Sequence, residues 1–224
     1  MNKLYLPNVT LVFVEGRKYS LSKRALDHCL NLVDFGDYKI FTPEDVNDPF
    51  AIKIDPLPSV QHHSNFMFEQ IYKYIDTEFF LAAQWDGIIW DPLQWDENYL
   101  KYDYIGAPWP MEHEGRNVGN GGFSLRSKRL YEFIAKDASF NKWAYEDVEV
   151  CRNERIRLEQ EGFTFAPSAL AHKFSLESNR TLFDVPTYRD SVDTAFGLHG
   201  HYAFSTFMPQ FYRLQIQDLK NIIK

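Results

Sequence analysis

The sequence has no apolar window approaching the roughly 18 residues that a membrane span needs. Its opening stretch, MNKLYLPNVTLVFVEG, holds too short an apolar run for a signal peptide, and Pro7 and Asn8 interrupt it. A soluble, cytoplasmic protein without a transmembrane segment is expected. There are only 2 cysteines, Cys29 and Cys151. Both lie in segments that read as helix and neither has metal-ligand spacing, so buried, reduced thiols are expected. Positive charge is scarce: 24 Lys+Arg face 31 Asp+Glu, a formal net charge of -7, with no basic run to track a phosphate backbone. That balance argues against nucleic acid and against docking on anionic lipid. Neither GxxxxGK[ST] nor GxGxxG occurs, which excludes a Walker loop and a dinucleotide fingerprint. No internal repeat and no low-complexity segment is present.

What is there suffices for a core. Hydrophobic residues make up 45% of 224 positions and charged residues 25%, which suits one sizeable domain and argues against disorder. Aromatic residues are abundant, with 5 Trp, 13 Tyr and 19 Phe; aromatic faces fill cores and also suit the apolar faces of sugar rings.

The stretch FFLAAQWDG, residues 79–87, reads as a buried strand ending in Asp86 and a glycine that permits a sharp turn. An acid at a strand's carboxyl end either caps the turn or holds a divalent cation under a phosphate. Upstream, VTLVFV at residues 9–14 predicts a first strand, with Glu15, Gly16 and Arg17 as its outgoing loop. Arg17 fits a pyrophosphate or base contact as well as a solvated loop arginine. Ser20 is expected to cap a helix carrying Leu21, Ala25, Leu26, Cys29, Leu30 and Val33, closed by Gly36. A second strand is expected at residues 38–42, then an irregular connection with four prolines, at 43, 49, 56 and 58. Ser64 and Asn65 are expected to cap the next helix, with His62 and His63 just before it as weak ligand candidates.

Downstream, Trp90, Trp95 and Trp109 are interleaved with Asp91, Asp96 and Asp103. That combination is what a saccharide pocket needs, and equally what a loop packed on a sheet would show. The segment GRNVGNGGFSLRS, residues 115–127, is glycine-rich before a short strand and permits close backbone approach to a ligand; Asn120 and Ser124 add short polar groups. A brief helix is expected over residues 128–135, and another from 143 to 161 with a strand at 163–165. Glu146 and Asp147 at the start of the second helix suit either the helix dipole or a general base. His172, His199 and His201 follow, the last two flanking Gly200 as plausible cation ligands if brought beside Asp86. An amphipathic helix closes the chain from residue 211 to 223.

Taken together, QWDG, YDYIGAPW, VGNGGFSLRS, YEDVEVC, HKFSLES and FGLHG resemble a family of short glycosyltransferases with the GT-A fold, over roughly residues 9–203. The resemblance implies an α/β fold: a single GT-A-like domain over residues 1–224 with a Rossmann-like central mixed sheet flanked by helices. Residues 1–110 would form the nucleotide-sugar half and residues 111–224 the acceptor half. It implies a nucleotide-sugar donor, expected to be UDP-linked, a saccharide or glycan acceptor, Mn²⁺ or Mg²⁺, and a place in polysaccharide biosynthesis.

The family's DxD motif would correspond to Gln84-Trp85-Asp86, with Asp86 as the metal carboxylate and Gln84 in place of the first acid; a neutral amide oxygen contributes less than a carboxylate. The glycine loop near the donor would be Asn120-Gly121-Gly122. The base would be Asp147, with Glu146 second, and the C-terminal metal ligand His199, with His201 and His172 in reserve. Glu15 and Arg17 join the expected donor-binding set. Two other classes stay open on the residues alone: a lectin-like module using the three tryptophans, and a glycoside hydrolase using Asp86 and Asp147 as paired carboxylates.

Overall fold

A computed structural model of the chain describes residues 3–16, 18–109, 116–177 and 192–222. Arg17 and Gly115 lie outside the described residues. The expected first strand is longer than its apolar run: β1 spans Leu4–Val14. Helix α1 (Tyr19–Leu32) leads to β2 (Val33–Thr42), and the proline-rich connection contains a short β3 (Ala51–Lys53). After α2 (Val60–Glu69) and a single 3₁₀ turn come β4 (Phe79–Ala83), β5 (Gly87–Ile89), β6 (Tyr104–Gly106) and β7 (Phe123–Ser127). Helices α3 (Lys128–Lys136) and α4 (Glu146–Val148), a π turn at Glu149–Asn153, and α5 (Arg155–Gln160) and α6 (Ser168–Phe174) follow. The chain then supplies β8 (Ser175–Glu177), β9 (Gly197–His199), α7 (His201–Phe207) and α8 (Pro209–Ile222).

The main sheet is mixed, in the order β3-β2-β1-β4-β7-β6. The first four of these run parallel, while β7 is antiparallel to both β4 and β6. Helices cover both faces, so β4 and the second half of β1 read as near-continuous apolar runs rather than alternating ones. Alternation survives in where the side chains go. Leu11, Phe13, Leu81 and Ala83 join Ala25, Leu26 and Cys29 of α1 in one core. Val12, Phe80 and Ala82 join Phe66, Met67 and Phe68 of α2 and Leu130, Tyr131 and Ile134 of α3 in the other. Both cysteines are free and buried, and burial pushes the Cys29 thiol up to about 12.

Several local expectations are corrected. Gly36 does not close α1, which ends at Leu32; it lies inside β2 because Pro7 and Asn8 interrupt the β1–β2 ladder and the register shifts between Leu6 and Thr10. A Cβ on Gly36 would stand 2.1 Å from the Pro7 carbonyl oxygen, so only glycine fits the close approach. The cap position of α1 is Lys18, not Ser20. Helix α2 starts four residues before the expected cap: Ser59 is its N-cap, accepting from the His62 N–H. Ser64 sits inside α2 instead and accepts the Glu146 N–H at 3.1 Å, the entry to α4. The helix expected from 143 to 161 is broken into α4, the π turn and α5, stopping at Gly162 with φ 85°. The expected strand at 163–165 is reduced to one bridge, Tyr104 to Phe165.

A second sheet has the order β5-β9-β8, with β9 antiparallel to β5 and parallel to β8. Its register pairs Gly87 with His199 and His199 with Glu177. Because β5 begins directly after Asp86, this small sheet carries His199 to the end of β4.

Candidate functional site

The order of the main sheet reverses between β1 and β4: from β1 the chain runs outward to β2 and β3, then returns to the other side of β1. Ligands of open α/β sheets gather at such a switch point, outside the carboxyl ends of the strands. A cavity of about 650 Å³ opens there, lined among others by Glu15, Ser59, His63, Gln84, Trp85 and Tyr145. Burial, with Arg126 nearby, lowers the His63 imidazole to about 4, so the cavity wall presents a neutral ring at pH 7. Glu15 is buried, and its carboxylate accepts the Lys18 N–H at 3.2 Å and the Ser22 hydroxyl at 2.7 Å. It anchors the entry to α1 in the same act by which it lines the cavity. His62 is exposed and bonded to the Ser59 hydroxyl at 2.8 Å.

The tripeptide Gln84-Trp85-Asp86 is the turn between β4 and β5, closed by the Gly87 N–H donating to the Gln84 carbonyl at 2.8 Å. Gln84 is exposed, while Trp85 and Asp86 are buried. The Trp85 ring stands edge-on to His201, centroids 4.9 Å apart. His199 Nε2 lies 3.5 Å from Asp86 Oδ1, and His199 Nδ1 lies 3.5 Å from Glu177 Oε1. His201 Nε2 is 3.9 Å from Asp86 Oδ2. Among the described residues, Asp86 Oδ1 and both nitrogens of His199 are buried without a hydrogen-bond partner. Burial raises the Asp86 carboxyl, but His199 and then His201 outweigh it and hold it below its ordinary value. Burial lowers the His199 imidazole, but Asp86 and Glu177 outweigh it and push it up to about 10. Among the described residues no group of three or more His, Cys, Asp or Glu is arranged as a metal-ligand set. His172 is on α6, the helix that leads into β8.

The glycine loop closes one side of this cluster. The Gly122 carbonyl accepts the Gln84 N–H at 2.9 Å, and the Gly122 N–H donates to Asn120 Oδ1 at 2.9 Å. A Cβ on Gly122 would stand 1.9 Å from His199 Nε2, so the imidazole lies flush against bare backbone. The neighbouring Gly121 N–H donates to Asp147 Oδ2 at 3.1 Å. Beneath the loop, Arg126 is fully buried; it donates to the Gly121 carbonyl at 3.0 Å, to Ser124 at 2.9 Å and to Glu146 Oε1 at 2.6 Å.

The two adjacent acids are therefore not equivalent. Glu146 is locked between Arg126 and the Tyr131 hydroxyl. Burial raises it, Arg126 partly offsets this and Asp147 adds to it, leaving it at about 7. Asp147 is half-buried; burial raises it against the hydrogen bonds from Val148 and Gly121, and the charge of Glu177 raises it further. The charge of Arg126 lowers it in turn, but among the described residues no buried cation is hydrogen-bonded to it, and it faces the same cluster as Glu177.

The three acids interleaved with tryptophan serve local structure. Asp91 and Asp96 accept the Leu93 and Asn98 N–H groups at the starts of 3₁₀ turns, and Asp103 accepts from Ser127 and Thr164. Trp95 packs edge-on against Tyr99 and Phe196, Trp90 meets Phe207, and Trp109 meets Arg152. These contacts are those of a loop packed on the sheet, and Trp90 also lines an open cavity with Phe207 and Phe211.

Glu177 is the member of the cluster that the sequence reading missed. It lies in the phrase HKFSLES used for the family resemblance, but nothing in its local spacing marks it; only the β8–β9 register brings it beside His199.

No curated protein matches the chain. Among solved structures, a glycosyltransferase involved in the glycosylation of the major capsid of PBCV-1 is similar at 16% identity, over 85% of this chain and 92% of that one, with a TM-score of 0.48. A mannosyltransferase from Pyrobaculum calidifontis, in complex with GDP-Man and Mn²⁺, is similar at 10% identity with a TM-score of 0.50, over 73% of this chain and 55% of that one. The bifunctional IspDF from Campylobacter jejuni follows at 10% identity and a TM-score of 0.45, over 71% of this chain and 48% of that one. At these identities the likeness is one of fold, and with the central mixed sheet flanked by helices it makes the fold GT-A-like. Among the described residues no helix is long and apolar enough to cross a membrane. Residues 50–199 match the family described as protein of unknown function DUF5672, a span that takes in Asp86, the glycine loop, Asp147 and His199, and the chain belongs to that family.

Proposed function

We propose that the protein is a metal-dependent glycosyltransferase that moves a sugar from a nucleotide-sugar donor, UDP-linked, to a hydroxyl of a saccharide acceptor, with inversion. The reading takes residues 1–224 as one cytoplasmic GT-A-like domain, with the donor half in about 1–110 and the acceptor half in about 111–224. One observation carries it: Asp86 Oδ1 and His199 Nε2, 113 positions apart in sequence, meet at 3.5 Å, buried and without hydrogen-bond partners among the described residues. Unsatisfied buried polar atoms are costly, and a divalent cation, displacing the proton that Asp86 and Glu177 otherwise hold on His199, would satisfy both. A carboxylate oxygen and an imidazole nitrogen suit Mn²⁺, and Mg²⁺ less well. Such a cation supplies positive charge where the departing nucleoside diphosphate gathers negative charge.

The protein's own groups divide the remaining work. The cavity at the ends of β1 and β4 receives the nucleoside, with Glu15, Gln84 and Trp85 around it. Asp147 takes the proton of the acceptor hydroxyl; its raised affinity for protons makes it a stronger base than a solvated aspartate, and a placed general base is worth about 100- to 10,000-fold. Glu146 is the weaker candidate, since Arg126 and Tyr131 already hold its carboxylate. Gly121 stands against Asp147 and Gly122 against His199, so the proposed base and the proposed metal ligand meet neighbouring residues of one loop. Glu177 steadies the His199 ring from behind, the usual service of a carboxylate beside a metal-binding imidazole.

A second reading has one observation in its favour: Gln84 stands where GT-A enzymes have an acid, which suits a nucleotide-sugar binder without turnover. Calorimetry with UDP and with GDP, in MnCl₂ and in EDTA, tests the first reading. Binding that needs Mn²⁺ and is lost in Asp86→Ala is expected. Binding unaffected by EDTA, or retained in full by Asp86→Ala, would sink it. Time-dependent release of nucleoside diphosphate from a nucleotide-sugar then separates the enzyme from the silent binder.

A further inference from the structure

The last helix reaches the site through one side chain. Helix α8 turns Phe211 and Tyr212 toward the core and leaves Leu214 exposed. Position 215 falls on the inward face, where helical patterning calls for an apolar residue. It holds Gln215, whose relative exposure is 0%. A buried amide is tolerated only when its groups are matched, and these are. Its nitrogen donates to the Leu21 carbonyl at 3.0 Å and to the Trp85 carbonyl at 2.9 Å. Its oxygen accepts from Arg24, which also pairs with Asp218 of α8 at 2.7 Å.

One amide thus joins α1, α8 and the turn that presents Asp86. The turn is held at each carbonyl by a different partner: Gln84 by the Gly87 N–H at 2.8 Å, Trp85 by Gln215, and Asp86 by the Gly200 N–H at 2.9 Å. Two of these donors are backbone groups beside the turn and beside His199. The middle one comes from 130 positions away.

We propose that Gln215 is a positioning residue for the Gln84-Trp85-Asp86 turn, so that α8 forms part of the donor site although it contributes no group to the ligand. The part concerning the donor rests on the glycosyltransferase reading; the hold on the turn does not.

Gln215→Met keeps the length and packing of the side chain and removes both donated bonds together with the acceptor of Arg24, while Asp218→Asn weakens the same α1–α8 link without touching Trp85. Hydrogen exchange is followed at Gln84, Gly87 and Gly200, whose amides close the turn. In Gln215→Met these three are expected to exchange roughly tenfold faster, the loss of the one hydrogen bond that Gln215 gives the turn, at the upper end of ordinary net strength. In Asp218→Asn they are expected to keep the wild-type rate. UDP or GDP binding in MnCl₂ is expected to weaken by roughly tenfold in Gln215→Met, with that of Asp218→Asn unchanged. Equal loosening by both variants, or unchanged turn amides in Gln215→Met, overturns the proposal, since docking of the helix alone would then suffice. A loosened turn with full nucleotide affinity overturns its link to the donor. If wild type binds no nucleotide while Gln215→Met still loosens the turn, the glycosyltransferase reading fails and the hold on the turn stands.

Discussion

Gly122→Ala tests how the site is assembled, because the added methyl group has one destination. Built on the existing backbone, it would lie 1.9 Å from Nε2, 2.3 Å from Cε1 and 2.5 Å from Cδ2 of His199. Ordinary contact begins near 3.4 Å, so the imidazole must retreat by about 1.5 Å or the loop must open by as much. The ring has little room: Asp86 lies on one side of it, Glu177 on the other, and its own backbone is in β9. Overpacking of this kind costs about 1–3 kcal/mol. For a chain of this length that corresponds to a fall in Tm of roughly 2–12 °C. The larger effect is expected on the cation, since moving Nε2 away from Asp86 Oδ1 separates the proposed ligands; a loss of at least roughly tenfold in Mn²⁺ affinity is expected, as when a ligand's support is removed. Gly121→Ala is the comparison. Its Cβ would meet Arg126, Asp147 and Glu146 at 3.1, 3.2 and 3.3 Å, tight but not impossible, and none of these is a proposed ligand. Calorimetry with Mn²⁺ and UDP, beside thermal unfolding of both variants, gives the comparison. The reasoning is refuted if Gly122→Ala binds the cation as wild type does, or if Gly121→Ala weakens it as much.

Asp147→Asn should lower turnover by about 100- to 10,000-fold while nucleotide affinity in MnCl₂ stays within about twofold, measured by product release and calorimetry; turnover near wild type would remove Asp147 as base. Glu146, raised to about 7 from an ordinary 4.5, binds its proton more tightly in the folded than in the unfolded state. Its contribution to stability is therefore lost as pH rises from about 4.5 to about 7, by up to about 3 kcal/mol. Urea unfolding at pH 5 and pH 8 should show wild type losing stability relative to Glu146→Gln over that interval, and parallel pH profiles would contradict the shift.

The parts legible in the sequence are those set by short-range pattern. VTLVFV and FFLAA announced β1 and β4 because both faces are covered and every position but Thr10 is apolar. The strand and helix after the glycine loop, β7 and α3, fell where periodicity put them. Asp86, the glycine loop and His199 were picked out as phrases, and the fold brings them together. What escaped was set by partners far along the chain. Ser64 looks like a helix cap until Glu146, 82 positions away, is seen to need its oxygen. Gly36 looks like a helix stop until the Pro7 carbonyl is placed opposite it. Glu177 looks like a surface acid, because its meaning comes from the register of a three-stranded sheet. The tryptophan segment was ambiguous for a different reason: acids beside indoles look alike whether they bind sugars or cap 3₁₀ turns.

All six strands of the large sheet are complete by Ser127, yet the partner of Asp86 arrives on a strand that begins only at Gly197. During synthesis the whole large sheet therefore leaves the ribosome some 70 residues before the proposed cation seat can close. A chain cut short before Gly197 would keep every strand of that sheet and lose the seat, along with Phe204 of the core.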